Sequence, residues 1–360
     1  MSKKSVYVGV SGGVDSAVTL ALISKKYKTR GIFMRNWSKD LPGFQCPWRE
    51  DWHDAQSVAL SLNLPIELWD FEKDYRNKVV DYLVSEYRAG RTPNPDIICN
   101  QEIKFKVFLE HAFELGADKI STGHYARIHQ DEKKRFWLQM AKDETKDQTY
   151  FLARISQKAL SKSLFPLGDL KKSDVRELAT KLNLPVADKK DSVGICFVGE
   201  VGITDFLKNF IDLKTGPIID IDTNNEIGQH EGSELYTIGQ RHGLDLKTSA
   251  DLPYYVVKKD TNKNIVYVSS DLNSTDLWVN KITLTDVHLP TINENEINDY
   301  KNLTLRYRHL GKLENIHTLL KSGAKEYIIE LKEKIKKPAS GQTGVIYTDN
   351  QCVLLAGFIK

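Results

Sequence analysis

The stretch Val6–Leu22, VYVGVSGGVDSAVTLAL, limits the fold of this chain more than any other. Val6, Val8 and Val10 alternate with Tyr7 and Gly9 as in a buried strand, Ser11-Gly12-Gly13 breaks the pattern, and Ser16–Leu22 carries apolar residues at helical spacing. A strand, a glycine turn and a helix folding back on the strand open an α/β fold with a parallel sheet. Two glycines let the backbone come close to a ligand, and the helix offers unpaired N–H groups and a positive dipole end to an anion. Neither Gly-Lys-Ser/Thr nor Gly-x-Gly-x-x-Gly is present, so this is not a Walker A loop and not a dinucleotide fingerprint.

Strands and helices continue to alternate. Thr29–Met34 and Pro65–Phe71 read as strands, Asp54–Leu62 and Lys73–Ala89 as helices, and Ala117–Tyr125 as a further strand running into Gly123-His124. This predicts a doubly wound sheet with its ligand site beyond the strand C-termini. Arg91–Asn100 contains Pro93 and Pro95 and reads as an extended, stiffened loop ahead of a helix over Glu102–Leu115. Arg127–Met140 reads as a β-ribbon, and Ser173–Leu182 as a helix with Ser173 at its N-cap.

Beyond about residue 205 short β-branched segments take over, and from Trp278 onward alternating strands recur at regular intervals, the pattern of a closing β-barrel. The expected domains are 1–205 (catalytic α/β), 206–277 (small, mostly β) and 278–360 (barrel). A chain of 360 residues suits two or three domains. A net charge of +3 permits a nucleic-acid partner without requiring one, so any basic surface is local. No run has membrane-spanning length. The sequence MSKKSVYVGV enters the first strand at once, which predicts a cytoplasmic protein, or a mitochondrial one if the source is eukaryotic and a presequence has been removed. Cys46, Cys99, Cys196 and Cys352 contain no Cys-x-x-Cys pair, which argues against a zinc site or a disulfide framework and only mildly against an iron–sulfur cluster; no resident metal is expected.

Ser11-Gly12-Gly13-Val14-Asp15-Ser16 resembles the pyrophosphate loop of enzymes that split ATP into AMP and pyrophosphate. Further stretches join it: Gly90–Asn100 (GRTPNPDIICN), Thr122–Ala126 (TGHYA), Lys146-Asp147-Gln148, Asp191–Phe197 (DSVGICF) and Tyr236–Arg241 (YTIGQR). Together and in this order they resemble the tRNA-specific 2-thiouridylase family of bacteria and mitochondria, almost end to end, with weaker matching over the last eighty or so residues. The resemblance implies a nucleotide α-hydrolase-like catalytic domain. It also implies a reaction in which ATP adenylates the C2 oxygen of a wobble uridine, after which sulfur displaces AMP.

By that resemblance Gly9, Val10, Ser11, Gly12, Gly13, Val14, Asp15 and Ser16 line the ATP site, with Met34 at the adenine end and Gly123 nearby. The loop's chemistry suits Asp15 to a Mg²⁺ ion carried by the nucleotide. The resemblance makes Cys99 the nucleophile and Cys196 the persulfide carrier, with a transient Cys99–Cys196 disulfide left for reduction. Asp96 is expected to act as a general base or to orient the uracil, and Asn94, Pro95 and Asp96 to meet the target base. His124, Lys146, Asp147, Gln148, Arg306, Tyr307 and Gln342 match positions that contact tRNA, although Ser340-Gly341-Gln342 stands where Pro-Gly-Gln is commoner. The expected partners are tRNA and a sulfur donor, either a cysteine desulfurase or a sulfur-relay protein. Two other readings share the first loop: a different ATP-pyrophosphatase, which needs neither cysteine, and an ATP-gated RNA-binding protein without chemistry.

Overall fold

The computed structural model describes residues 3–40, 46–191, 203–247 and 252–360. The opening unit is β1 (Ser5–Gly9) followed by α1 (Val14–Ser24). With β2 (Lys28–Arg35), β3 (Ile66–Asp70), β4 (Lys119–Ser121) and β7 (Ser163–Leu164), β1 forms a parallel sheet in the order β3-β2-β1-β4-β7. Strand alternation sorts the core into two layers. Val6, Val8 and Val10 point toward α1, α2 (Trp48–Ser61) and α9 (Lys172–Lys181), while Tyr7 points to the opposite cluster, with Trp69, Ile103 and Phe108.

Two long helices cover that opposite face. One runs from α3 (Glu72–Tyr75) through π-helical turns into α4 (Asp81–Arg88), and the other from α5 (Pro95–Ile98) through Cys99–Val107 into α6 (Phe108–Glu114). The second corrects the expected loop. Its helix begins at Pro95, seven residues before Glu102, because proline is tolerated at the first helical position and Asn94 caps it by accepting from the Asp96 amide at 3.1 Å. Asp96 and Cys99 therefore sit in the first turns of a helix. The cap of α9 also moves: Lys171, not Ser173, is the boundary, and its amide donates to Asp174 at 3.1 Å.

β5 (Arg127–Gln130) and β6 (Phe136–Gln139) form the expected ribbon, followed by α7 (Thr149–Leu152) and α8 (Gln157–Lys162). After α10 (Ile203–Leu207), β8 (Gly216–Asp220), β9 (Glu226–His230), β10 (Tyr255–Asp260) and β11 (Ile265–Ser269) make a second sheet, ordered β10-β11-β8-β9. The barrel is closed: β12 (Trp278–His288), β13 (Thr304–Arg306), β14 (Glu314–Gly323), β15 (Glu326–Lys336), β16 (Thr343–Tyr347) and β17 (Val353–Ile359) join in the order β12-β15-β14-β13-β16-β17. Val345, Tyr347, Val353 and Ala356 of the barrel share a core with α5 and α7, so the barrel packs directly on the first domain.

Candidate active site

The loop after β1 is held by its own serines. The Ser11 amide donates to Ser16 Oγ at 3.1 Å, and Ser16 Oγ donates to the Gly13 carbonyl at 2.9 Å. Gly13 is the N-cap of α1 with no side-chain cap, which leaves the first N–H groups of α1 open to a ligand. Gly12 has φ +75°, and a Cβ there would lie 2.4 Å from the Asp51 carbonyl oxygen, so only glycine fits. Met34 is adjacent to the loop: a Cβ on Gly9 would lie 3.0 Å from its Cε. Gly123 packs against the start of α1, 3.0 Å from the Asp15 carbonyl carbon by the same measure. The strand expected over Ala117–Tyr125 is regular only at Lys119–Ser121, where it pairs with β1, and Gly123 lies beyond it.

Asp15 accepts from the Tyr125 hydroxyl at 2.9 Å and from Lys172 Nζ at 2.7 and 2.9 Å. Lys172 also pairs with Asp191 at 2.8 Å, and Asp191 receives Lys146 at 3.1 Å and Arg176 at 2.6 Å. Although desolvation opposes it, bonds to Lys172 and Lys146 bring the Asp191 carboxyl down to about 2. Across the loop Lys189 bridges Asp51 and Asp54 at 2.8 and 2.6 Å. No motif marks Lys172, Arg176 or Lys189; Lys172 has as its signal a lysine pair at the start of a helix, which solvated helices share.

Cys99 is 2% exposed at the third residue after Asp96. Burial pushes the Asp96 carboxyl up, with Lys104 opposing in part. His124 donates to or accepts from Thr122 Oγ1 at 2.8 Å and packs its ring near Phe105 and Phe165. Burial, with Lys104 adding to it, drives its imidazole well below the usual range, so it is neutral at pH 7. Cys196 and the Ser192–Phe197 part of its motif lie outside the described residues. Cys46 and Cys352 are buried, and burial pushes the Cys352 thiol up to about 11.

The positions expected to meet tRNA divide into two groups. Tyr307 and Gln342 line a cavity of about 450 Å³ between the second sheet and the barrel, together with Trp278, Arg308, Lys312 and Lys336, none of which the motifs marked. Gln342 also donates to the Thr92 carbonyl at 2.8 Å, steadying the chain that leads to Asn94. Asp147 and Arg306 are placed differently from the expectation. Asp147 is fully buried and pairs with Arg306 at 2.7 Å, and Arg306 also donates to the Gly311 carbonyl at 3.1 Å, so the pair ties the barrel to the first domain. Gln148 is likewise engaged, accepting from the Tyr125 amide at 2.9 Å. Lys146 keeps a partly exposed side chain beside Asp191.

Residues 4–200 match the family model described as "tRNA methyl transferase HUP domain", and 204–270 match "tRNA methyl transferase PRC-barrel domain". The tRNA-specific 2-thiouridylase MnmA of Levilactobacillus brevis is 40% identical over 98% of this chain and 94% of its own length. The chain belongs to the tRNA-specific 2-thiouridylase family. Further members of that family are similar in extent: the protein of the same name from Mycoplasma mycoides is 42% identical over 98% of this chain and 97% of its own. The one from Staphylococcus epidermidis is 39% identical over 98% and 95%. Membership accounts for the nucleotide-binding type of the first domain. Among the described residues no helix is long and apolar enough to cross a membrane.

Proposed function

We propose that this enzyme makes 2-thiouridine in tRNA, using ATP to activate the wobble uridine and a cysteine persulfide to supply sulfur. One observation carries the reading: a pyrophosphate loop with an uncapped helix end and a buried cysteine at the start of a second helix share one catalytic domain within this family. The uracil C2 carbonyl is a weak electrophile, and its oxygen leaves only after esterification to phosphate. Attack of that oxygen on the α-phosphorus of ATP releases pyrophosphate and creates an AMP leaving group. The terminal sulfur of a persulfide on Cys196 then forms a bond to C2 as AMP departs. The Cys99 thiolate attacks the Cys196 sulfur, freeing the thiocarbonyl and leaving a Cys99–Cys196 disulfide that an external dithiol reduces.

Asp96, raised by burial, is suited to hold or accept a proton near the base, and Asn94 fixes its position. The α1 amides and Asp15 serve the nucleotide: Asp15 offers the hard oxygen donors that suit Mg²⁺, which when bound neutralises phosphate charge. Lys146, Arg308 and Lys312 supply local charge for tRNA phosphates, and Tyr307 with Trp278 a surface for an unstacked base. We place the reaction in the cytoplasm, with a cysteine desulfurase or relay protein delivering the sulfur.

The test is incubation of the protein with ATP, unmodified tRNA and a persulfide donor, followed by digestion of the tRNA to nucleosides. 2-Thiouridine is expected from the wild type and from neither Cys99→Ser nor Cys196→Ser, with ATP binding intact in both. Full thiolation by either variant removes that cysteine from the mechanism. Affinity for tRNA is expected to fall as salt rises, and a flat response contradicts the assigned phosphate contacts.

A further inference from the structure

Lys172 stands at the pyrophosphate loop although no motif marks it. It opens α9, its amide donating to Asp143 at 2.9 Å, and its side chain, 14% exposed, reaches over to the start of α1. There its ammonium meets both oxygens of Asp15, the second residue of α1, and one oxygen of Asp191. Its side-chain partners are thus two carboxylates, and Tyr125 lies beneath it with the ring centroid 5.9 Å away. Arg176, one turn along α9, differs: its guanidinium is tied to the Ala187 and Lys189 carbonyls at 3.0 and 2.6 Å as well as to Asp191. Arg176 is fixed in place, whereas Lys172 has a flexible stem and partners that a stronger anion outcompetes.

The position also sets which part of a nucleotide it meets. Met34 borders the loop from β2, on one side of β1, while Asp15, Tyr125 and Lys172 lie on the β4 side. A nucleotide with its base near Met34 directs its phosphates across the α1 N-terminus toward Lys172. Polyphosphate arriving there would bring several negative charges to compete for the ammonium, and Asp15, relieved of Lys172, would have both carboxylate oxygens to hold an accompanying divalent cation.

We propose that Lys172 binds the pyrophosphate portion of ATP and is held in reserve by Asp15 and Asp191 until the nucleotide arrives. This rests on the ATP-dependent reading above. Calorimetric titrations with magnesium and α,β-methylene-ATP, and separately with AMP, test it on the wild type, Lys172→Met, Lys172→Arg and Asp191→Asn. Losing one charge-assisted contact lowers affinity of the Met variant for the ATP analogue by about tenfold or more, leaves AMP binding within about twofold, and lets the Arg variant recover most of the loss. Asp191→Asn, which keeps the lysine and removes one of its holders, binds the analogue more tightly. Equal analogue binding by wild type and Met variant, or parallel loss of analogue and AMP, overturns the proposal and leaves Lys172 a tie between α9 and α1. Weaker analogue binding by Asp191→Asn overturns it as well, even if the Met variant fails to fold. A wild type that binds neither nucleotide defeats the ATP reading itself.

Discussion

At Asp96, burial works against ionisation, and the sign of that effect fixes what removal of the charge does. The carboxyl holds its proton to higher pH in the folded chain than in the unfolded one. Between those two values the native state binds more protons, so its stability falls as pH rises, and above the folded value the full penalty is present. Asp96→Asn is therefore expected to raise the melting temperature at pH 7, with a gain that shrinks toward pH 3, while slowing thiolation by about 100-fold or more. Melts at the two pH values and single-turnover thiolation check it; a lower melting temperature at pH 7 contradicts the account. Burial acts in the same direction on Cys352, a residue to which the reading gives no part in the chemistry. It is buried in the barrel core with its thiol pushed up, so Cys352→Ala leaves the thiolation rate unchanged and alters only stability.

At the scale of elements, the helix that starts at Pro95 carries both Asp96 and Cys99, and its first turn depends on Asn94. Asn94→Ala costs about 1 kcal/mol of stability. It also lowers the thiolation rate more than ATP affinity, since it loosens the turn holding the reacting groups and leaves the pyrophosphate loop alone. Equal losses in both would place Asn94 elsewhere in the reaction. Gly12→Ala acts on the other element. With φ +75° and the Asp51 carbonyl 2.4 Å from the new Cβ, it is expected to abolish ATP binding, read by the same calorimetry. The loop, its helix and the parallel sheet were legible because glycine breaks and alternating valines are local signals. The Pro95 helix was misread because the same prolines that stiffen a loop also start a helix, and only the tertiary contacts of Ile97 and Ile98 decide between them. Lys172 was illegible, since a lysine pair takes its meaning from the carboxylates it faces, far away in sequence.

At the scale of the molecule, barrel and catalytic domain are joined by buried polar contacts as well as a common core. Asp147–Arg306 is supported by Thr149 Oγ1 donating to Asp147 at 2.7 Å, and Arg154, itself buried, pairs with Asp286 of the barrel at 2.7 Å. Removing one member of a buried pair strands the other charge, so Arg306→Met is expected to cost about 3–5 kcal/mol, and Asp147→Asn with Arg306→Met together less than the sum of the two alone. Denaturant unfolding of the two single variants and the double variant measures this coupling; additive losses would mean that the two side chains do not act as a pair. The motif resemblance pointed to Asp147 and Arg306 but not to their burial, which follows from how the barrel packs against the first domain, a long-range contact that local strand patterning does not reveal.

The fate of the uridine C2 oxygen tests most directly whether the pyrophosphate loop and the Cys99 helix serve one reaction. With tRNA carrying ¹⁸O at C2 of the wobble uridine, a single turnover with ATP and persulfide is expected to place the label in AMP as 2-thiouridine forms. Label found in water or in pyrophosphate, with AMP unlabelled, contradicts the account.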